Sequence, residues 1–162
     1  MDADATHRYR RALSALPTGV TLVTVADDRG AVGLVANSFT SLSLEPPLVL
    51  WCLGDRSDRG LYFREAERFA VNILQGEGEA IARRYAERGR HRLEPGDFEL
   101  KGPGLPAVRG AATVLFCRIS QRIHVADHLV IVGQVEDWES HDQPAEGLLY
   151  FRSRYGRAAI PE

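Results

Sequence analysis

The 162-residue sequence has little cysteine, almost no net charge and no long apolar run. Its two cysteines, Cys52 and Cys117, stand in apolar stretches, where cysteine is usually a small buried hydrophobic residue, so a disulfide framework is excluded. Lys and Arg number 20 against 22 Asp and Glu, a net charge of −2. Because nucleic acids and acidic membranes attract strongly basic proteins, we expect neither as a partner.

Signals for export and membrane insertion are also missing. No stretch approaches the roughly 18 apolar residues that span a membrane, and the acidic start of the chain is not followed by the apolar region of a signal peptide. We therefore expect a cytoplasmic protein. The length corresponds to one domain, residues 1–162, at roughly 100–200 residues per domain, and we expect flexible ends at 1–8 and 156–162.

The spacing of apolar residues predicts a mainly β fold. Tyr9, Ala12, Leu13 and Leu16 recur at helical spacing and predict a first helix with Thr6 as its cap. Further helices are predicted at 61–66 and 77–88, and strands at 20–25, 31–36, 48–53, 69–74, 115–125, 129–135 and 148–151. Six or seven strands with hairpin-like connections and few helices indicate a small antiparallel barrel.

Two segments carry additional structural signals. Odd positions in 115–125 are mostly apolar and the even positions from 118 to 124 are polar, which predicts one buried and one solvated strand face, with Ile123 and Val125 on the buried face. Segment 90–110 is rich in glycine and proline and predicts a long loop, which is usually functional or disordered.

Common catalytic motifs are absent or out of context. Segment 102–107 fits G-x-G-x-x-A, but no predicted strand precedes it and Pro103 and Pro106 interrupt the helix that a dinucleotide site needs. There is no P-loop and no G-x-S-x-G nucleophile motif. His124 and His128 straddle a strand end and a turn without an evident third ligand, so we predict no metal site.

Segment 36–43 is unusually polar for a connection between two apolar strands. It holds four hydroxyls and one amide, from Asn37, Ser38, Thr40, Ser41 and Ser43. Such groups and the neighbouring backbone N–H groups can surround a phosphate or a ribityl chain. Composition alone favours an ordinary Ser/Thr-rich turn equally.

Six short motifs occur in one order along the chain. They lie at 17–20, 37–49, 69–74, 104–106 with Cys117, 127–128 with 133–135, and 149–155. In this order the chain resembles the short-chain flavin reductases, the reductase components of two-component flavin-dependent monooxygenases. The resemblance extends from about Tyr9 to Tyr155, and its most specific part is the S-x-T-S-x-S-x-E-P-P block at 38–47.

The resemblance implies a split β-barrel of Greek-key type that binds FMN or FAD at the interface of a homodimer. It implies oxidation of NADH or NADPH and delivery of reduced flavin to a partner monooxygenase. Hydride transfer from nicotinamide to flavin is chemistry that the cofactors carry, which agrees with the lack of an acid–base pair in the sequence. The protein then supplies binding and orientation.

Site residues follow from the resemblance position by position. The isoalloxazine ring and ribityl chain are expected near Thr18, Gly19, Val20, Asn37, Ser38, Phe39, Thr40, Ser41 and Ser43, with Cys52 and Leu53 flanking the ring through their backbone. Ser57 and the neighbouring Arg59 match the position that holds the flavin phosphate. His128 and Tyr155 match residues that position the nicotinamide.

Two positions depart from the family pattern. Ala126 replaces a glycine in the turn before His128, which is costly only if that turn requires a positive φ. Leu93 replaces a phenylalanine in the long loop, which bears on how that loop covers the flavin.

Several alternatives remain open at the level of sequence. The chain fits a non-catalytic flavin- or haem-binding protein on the same barrel, or a flavin-dependent reductase of another acceptor. FMN is not separated from FAD, nor NADH from NADPH. The arginines at 83, 84, 88, 90 and 92 fit either a nucleotide phosphate or an ordinary solvated helix face.

Overall fold

The computed structural model describes residues 2–141 and 146–159. These residues form three α-helices, α1 (Ala3–Leu13), α2 (Gly60–Glu65) and α3 (Glu79–Ala86), with a single 3-10 turn at Gly76–Gly78. The strands are β1 (Thr18–Gly19), β2 (Thr21–Asp27), β3 (Gly30–Ala36), β4 (Thr40–Leu44), β5 (Pro47–Gly54), β6 (Arg68–Leu74), β7 (Phe98–Lys101), β8 (Leu105–Val108), β9 (Ala111–Val125), β10 (His128–Ser140), β11 (Gly147–Phe151) and β12 (Arg154–Ala158). The prediction of a mainly β protein is confirmed.

Seven antiparallel strands form the main sheet, in the order β3-β2-β6-β9-β10-β5-β4. β-Branched and aromatic residues favour these strands, and their inward side chains form a core in which Val23, Trp51, Phe69 and Ile131 are fully buried. Within the described ranges, no backbone pairing joins the edge strands β3 and β4. The sheet is therefore strongly curved around a core but is not a barrel closed by hydrogen bonds.

A small sheet of β1, β11 and β12 lies next to the main sheet. Val20 links the two, because its N–H donates to the Leu148 carbonyl at 3.2 Å and its carbonyl accepts from the Leu74 N–H at 3.1 Å. In the β11–β12 hairpin Tyr150 lies opposite Tyr155. This junction brings the C-terminal hairpin against the start of β2.

Helix α1 begins earlier than the sequence pattern predicts. Asp2 caps it, since its carboxylate accepts from the Ala5 N–H at 2.7 Å, and the prediction of Thr6 as the cap is wrong. Thr6 lies inside the first turn and donates to the Asp2 carbonyl. A carboxylate at the free N–H groups of a helix is a better acceptor than a hydroxyl. Residues 3–8 thus lie in α1 and 156–158 in β12, while flexibility of the two ends stays a prediction.

Four strands occupy segments that the sequence pattern assigns to loops or to the tail. β4 begins in the polar segment 36–43 and pairs with β5. β7 and β8 form a hairpin inside 90–110, and β12 pairs with β11. Each is short and rich in polar residues or glycine and proline. Backbone pairing with a neighbour stabilises such strands, and side-chain alternation does not reveal it.

The prediction that Ile123 and Val125 lie on a buried face is wrong. β9 alternates only in its first half, and both of these side chains are about half exposed, at 46% and 54%. The outer half of β9 extends beyond the core together with the start of β10. Cys117, in the inner half, is buried, and burial raises the pKa of its thiol to about 12.

Candidate functional site

A cavity of about 210 Å³ opens where the small sheet meets the main sheet, and we call it the junction cavity. Its lining residues come from the start of β2, from β3 and the segment after it, from the residue before α2, from α3 and its end, and from the C-terminal hairpin. They are Val20, Val35, Asn37, Arg59, Tyr85, Ala86, Tyr150 and Tyr155. Four of them, Val20, Asn37, Arg59 and Tyr155, are site residues predicted from the sequence.

Arg59 lies in the wall of the junction cavity with only 8% of its surface exposed. Its Nη2 donates to the carbonyls of Tyr85 and Glu87 at 2.9 and 2.6 Å, and its Nη1 pairs with Asp58 at 3.1 Å. These bonds hold the C-terminal end of α3, whose carbonyls have no partner within the helix. Among the described residues the Arg59 Nε–H has no acceptor, so one buried cationic donor is left over.

Tyr85 fixes the part of the wall next to Arg59. Its hydroxyl donates to the Asp97 carboxylate and accepts from the Glu94 N–H at 2.9 Å, and Arg84 pairs with the same carboxylate at 2.7 Å. Burial, aided by the nearby Asp97 carboxylate, raises the pKa of Tyr85. The side chain is therefore neutral and rigid at physiological pH.

Two further tyrosines line the side formed by the C-terminal hairpin. The rings of Tyr150 and Tyr155 meet edge to face with centroids 5.3 Å apart, and the Arg83 guanidinium lies 4.9 Å from the Tyr155 ring centroid. Glu79 holds Arg83 in place at 2.7 Å. Burial raises the pKa of Tyr155, so the side chain of this residue is neutral.

Thr18 and Gly19 belong to β1, next to the cavity. Thr18 pairs with Tyr150, and its hydroxyl lies 3.5 Å from the Tyr150 carbonyl. A Cβ added at Gly19 would meet no atom within 4 Å, so open space adjoins the backbone there.

Beyond Asn37, which lines the cavity, the polar segment after β3 is attached to β5. The Ser38 Oγ accepts from the Cys52 N–H at 3.0 Å, which places these two predicted residues together. Phe39 packs on the main core, Thr40 and Ser41 are exposed, and Ser43 is half-buried. The Leu53 side chain is fully buried, so only its backbone is available to a ligand.

The loop from Gly54 to Arg59 is tightly turned. The Ser57 N–H donates to the Gly54 carbonyl at 3.0 Å, and the Ser57 Oγ accepts from the Arg59 N–H at 3.3 Å. Ser57 is half-buried beside the buried Arg59. The structure therefore brings together the two residues predicted to hold the flavin phosphate.

His128 lies apart from the residues that line the junction cavity. It begins β10 opposite Gly54, is exposed, and its Nδ1 lies 2.9 Å from the Asp127 carboxylate, a contact that lowers the pKa of Asp127. The Asp55 N–H donates to the Asp127 carbonyl at 2.9 Å. The His128 turn is thus tied to the start of the loop that carries Ser57 and Arg59.

Leu93 fastens the long loop to the core. It is 7% exposed, packs in the cluster that contains Val20 and Tyr85, and its N–H donates to the Ala31 carbonyl at 3.0 Å. The smaller leucine therefore acts as a buried anchor between β3 and α3. It fixes the loop that carries Glu94 and Asp97.

Other motifs have structural roles. His124 contacts the Asp55 carboxylate at 2.9 Å, and no group of three or more potential metal ligands occurs in residues 2–141 and 146–159.

Four arginines of the basic segment form ion pairs, Arg83 with Glu79, Arg84 with Asp97, Arg90 with Glu87 and Arg92 with Asp27. Residues 105–107 lie in strand β8, so segment 102–107 is not the start of a dinucleotide-binding helix. No helix in the part of the chain that is described is long and apolar enough to cross a membrane.

Sequence reasoning missed four of the lining residues, the aliphatic Val35 and Ala86 and the aromatic Tyr85 and Tyr150. Tyr85 has the helical spacing of a core residue, and it is indeed buried. Tyr150 is recognisable only from the hairpin register that sets it opposite Tyr155. Finding either residue in the sequence requires the tertiary arrangement of α3 and the C-terminal hairpin.

Comparisons with known sequences give one consistent result. A family model described as "Flavin reductase like domain" matches residues 13–159. The chain is 38% identical over 127 residues to the FMN reductase (NADH) SmoA of Agrobacterium fabrum, covering 78% of this chain and 72% of that protein. It is 32% identical over 153 residues to an NADH:FMN oxidoreductase of Rhodococcus erythropolis, covering 92% and 80%.

Solved structures agree. The Streptomyces globisporus NADH:FAD oxidoreductase SgcE6, in complex with NAD and FAD fragments, superimposes with a TM-score of 0.88 at 35% identity over 98% of this chain and 96% of that one. BorF, the flavin reductase component of a bacterial two-component tryptophan halogenase, gives a TM-score of 0.88 at 30% identity, covering 96% and 99%. The resemblance noted from the sequence motifs is confirmed.

Proposed function

The chain belongs to the flavin reductase like domain family, and on that premise we propose that it is an NAD(P)H:flavin oxidoreductase. It oxidises NADH or NADPH, reduces FMN or FAD, and supplies the reduced flavin to a partner monooxygenase. One observation carries the proposal beyond family membership. The junction cavity gathers Val20, Asn37, Arg59 and Tyr155 from four segments that lie far apart in the sequence.

The residues around the junction cavity fit a flavin. Val20, Val35 and the tyrosine rings offer an apolar slot for an aromatic ring system, as ligand sites generally do. The unpartnered Nε–H of Arg59 is a buried donor suited to an anionic group, and Ser57 adds a hydroxyl beside it. The open space over Gly19 lets a flat ligand extend beyond the enclosed volume.

When bound, the flavin and the nicotinamide supply the hydride chemistry, and the protein supplies position and environment. Ser57 and Arg59 hold the flavin phosphate, while Thr18, Gly19 and Val20 border the ring. The other predicted contacts are Asn37, Ser38, Phe39, Thr40, Ser41, Ser43, Cys52 and Leu53. Tyr155 and His128 orient the nicotinamide, and the raised pKa of Tyr155 keeps its ring neutral.

A homodimer with the split-barrel arrangement is part of the proposal. Leu42 and Leu44 on the edge strand β4 are 51% and 87% exposed, and Ile123 and Val125 expose apolar surface on the outer half of β9. Exposed apolar residues on an open sheet edge are typical of surfaces that pair with another chain. A second copy that covers this surface would complete the core around the sheet.

Delivery of flavin to a partner requires a ligand that exchanges. The junction cavity is partly open and encloses less than the roughly 300–1,000 Å³ typical of sites that bury a small ligand. BorF is the reductase component of a two-component halogenase, and another neighbour is the reductase of a styrene monooxygenase. These names support a partner monooxygenase for this chain.

Spectroscopy with purified protein separates this function from its alternatives. Protein, NADH and an excess of FMN or FAD are mixed, and absorbance at the nicotinamide band is followed. Repeated oxidation of NADH, many turnovers per protein chain, supports the reductase. A stable flavin complex that NADH and NADPH leave unchanged would instead support a flavin carrier.

A further inference from the structure

A second, larger cavity of about 610 Å³ lies between the last turns of α1 and the two-residue turn that joins β11 to β12. We call it the basic cavity. Its polar lining residues are His7, Arg10, Arg11, Ser14, Arg152 and Ser153, and no carboxylate of the described residues lines it. Within residues 2–141 and 146–159, none of these three arginines forms an ion pair. Uncompensated positive charge is therefore concentrated at this place.

Helix electrostatics account for only part of this charge. Arg10 and Arg11 lie in the last turn of α1, where cations interact favourably with the helix dipole. Arg152 belongs to a different element and has no such explanation. Its backbone N–H donates to the Ser14 carbonyl at 3.0 Å, which fastens the hairpin turn to the end of α1 beside the cavity.

The hairpin turn itself has an unfavourable backbone conformation. Arg152 and Ser153 have φ values of 48° and 62°, in the left-handed region. Two-residue hairpin turns of this kind favour Asn-Gly, because a Cβ is disfavoured there. Local conflicts between sequence and backbone concentrate at functional sites. Here the turn carries an arginine and a hydroxyl toward a basic cavity.

Shared residues connect the basic cavity to the junction cavity. Arg152 also lines a third cavity of about 520 Å³, together with Phe151, Arg154 and Tyr155. Tyr155 in turn lines the junction cavity. The three cavities are therefore neighbours along the C-terminal hairpin, with Arg152 and Tyr155 as the residues that they share.

The sizes of the cavities indicate how a large ligand is distributed among them. The junction cavity, at about 210 Å³, is below the usual range for sites that bury a small ligand. A dinucleotide whose reactive ring lies there must place its remaining half elsewhere. Phosphates are bound by arginines and hydroxyls, and the basic cavity offers these groups next along the hairpin.

We propose that the basic cavity binds the ADP moiety of a dinucleotide whose reactive ring occupies the junction cavity, which rests on the proposed reductase function. Arg11 and Arg152 contact the phosphate on the adenosine side, with Ser153 as a further donor. ADP is common to NADH and FAD, so the chemistry of the site is the same for both. Substrates with and without this moiety identify which dinucleotide uses it.

The test compares Arg11→Gln combined with Arg152→Gln against Arg29→Gln combined with Arg109→Gln. Both double variants remove two exposed arginine charges. The control residues, Arg29 and Arg109, line neither the basic cavity nor the junction cavity. Binding of ADP alone is measured by calorimetry for each variant and for the unmodified protein. The expected result is a dissociation constant raised tenfold or more, about 1.4 kcal/mol, in the Arg11/Arg152 variant only.

Steady-state kinetics then identify the source of the ADP moiety. With FMN as acceptor, a rise in KM for NADH but not for reduced nicotinamide mononucleotide assigns the cavity to the nicotinamide dinucleotide. With NADH as donor, a rise in KM for FAD but not for FMN assigns it to the flavin. Either pattern supports the proposal.

Three outcomes overturn it: no binding of ADP to the unmodified protein, equal weakening in the control double variant, or equal changes for substrates with and without the ADP moiety. These failures differ from a failure of the reductase function. In that case the unmodified protein would not oxidise NADH in the presence of FMN at all. ADP binding is measured without turnover and stays informative in either case.

Discussion

At the scale of single residues, Ala126 has a backbone conformation that its side chain disfavours. Its φ of 52° lies in the left-handed region. The turn before His128 therefore requires a positive φ at this position, where alanine is less stable than glycine. Residues with a Cβ are disfavoured in that region, and glycine is not. The departure from the family pattern at this position is therefore a small source of instability.

Ala126→Gly is expected to raise the free energy of unfolding by about 0.5–1 kcal/mol, since it removes the Cβ clash in the turn. Urea denaturation measures it. Ala26→Gly, at an exposed position in strand β2, is the matched control, and it should have the opposite sign because glycine weakens a strand. Equal destabilisation by both substitutions would contradict the assignment of strain to Ala126.

His128 is exposed at the start of β10 and contacts Asp127. If it orients the nicotinamide, His128→Ala raises KM for NADH about tenfold, equivalent to about 1.4 kcal/mol, and leaves the dissociation constant for the flavin unchanged. Steady-state kinetics and flavin titration measure the two quantities separately. His141→Ala, another exposed histidine, is the control. An equal loss of affinity for NADH and for the flavin would contradict this role, because it would show that His128 affects the whole site.

At the scale of elements, Arg59 connects the loop before α2 to the end of α3. Its bonds to the carbonyls of Tyr85 and Glu87 are charge-assisted and buried. The same residue is proposed to hold the flavin phosphate through its remaining Nε–H. Loss of the side chain therefore affects both stability and flavin binding.

Arg59→Ala is expected to lower the free energy of unfolding by about 2 kcal/mol or more, because hydrogen bonds from charged groups contribute about 1.5–3 kcal/mol each. Arg64→Ala removes a half-exposed ion pair with Asp55 and should cost about 1 kcal/mol or less. Ser57→Ala should raise the flavin dissociation constant without a comparable loss of stability. Chemical denaturation and flavin titration measure these effects. Similar stability losses for Arg59→Ala and Arg64→Ala would contradict the anchoring role of Arg59.

The sequence pattern predicts the buried elements well and the exposed ones poorly. Strands β2, β3 and β6 consist largely of apolar residues, and their burial agrees with the pattern. β4 and β7 are polar, and β12 lies close to the end of the chain; backbone pairing with β5, β8 and β11 forms them. Such pairing depends on the position of a neighbouring strand, which local spacing does not specify.

At the scale of the whole molecule, the candidate site results from the meeting of two sheets. Individual motifs identify Val20, Asn37, Arg59 and Tyr155 as candidates, but only the fold brings them around one cavity. Tyr85 and Tyr150 complete that cavity through tertiary contacts of α3 and the C-terminal hairpin. Residues with a local motif are thus predictable, and residues that only pack against the site are not.

The exposed apolar side of the sheet bears on assembly. Leu44 is 87% exposed on edge strand β4. If a second copy covers this strand, Leu44→Glu shifts the protein from dimer to monomer, because it places a charge in an apolar interface. Sedimentation equilibrium measures the mass. Leu61→Glu, on the exposed side of α2 at 64% exposure, is the control and should leave the mass unchanged. A dimer that persists in the Leu44 variant would place the interface elsewhere.

The most direct test of the account is the rate of NADH oxidation with free flavin in excess, compared between the unmodified protein and Tyr155→Ala. We predict many turnovers per chain for the unmodified protein and a loss of tenfold or more in kcat/KM for the variant. Trp138→Ala removes an aromatic side chain that is 62% exposed on β10 and should retain the full rate. Absence of turnover in the unmodified protein would contradict the reductase function, and full activity of Tyr155→Ala would contradict its location at the junction cavity.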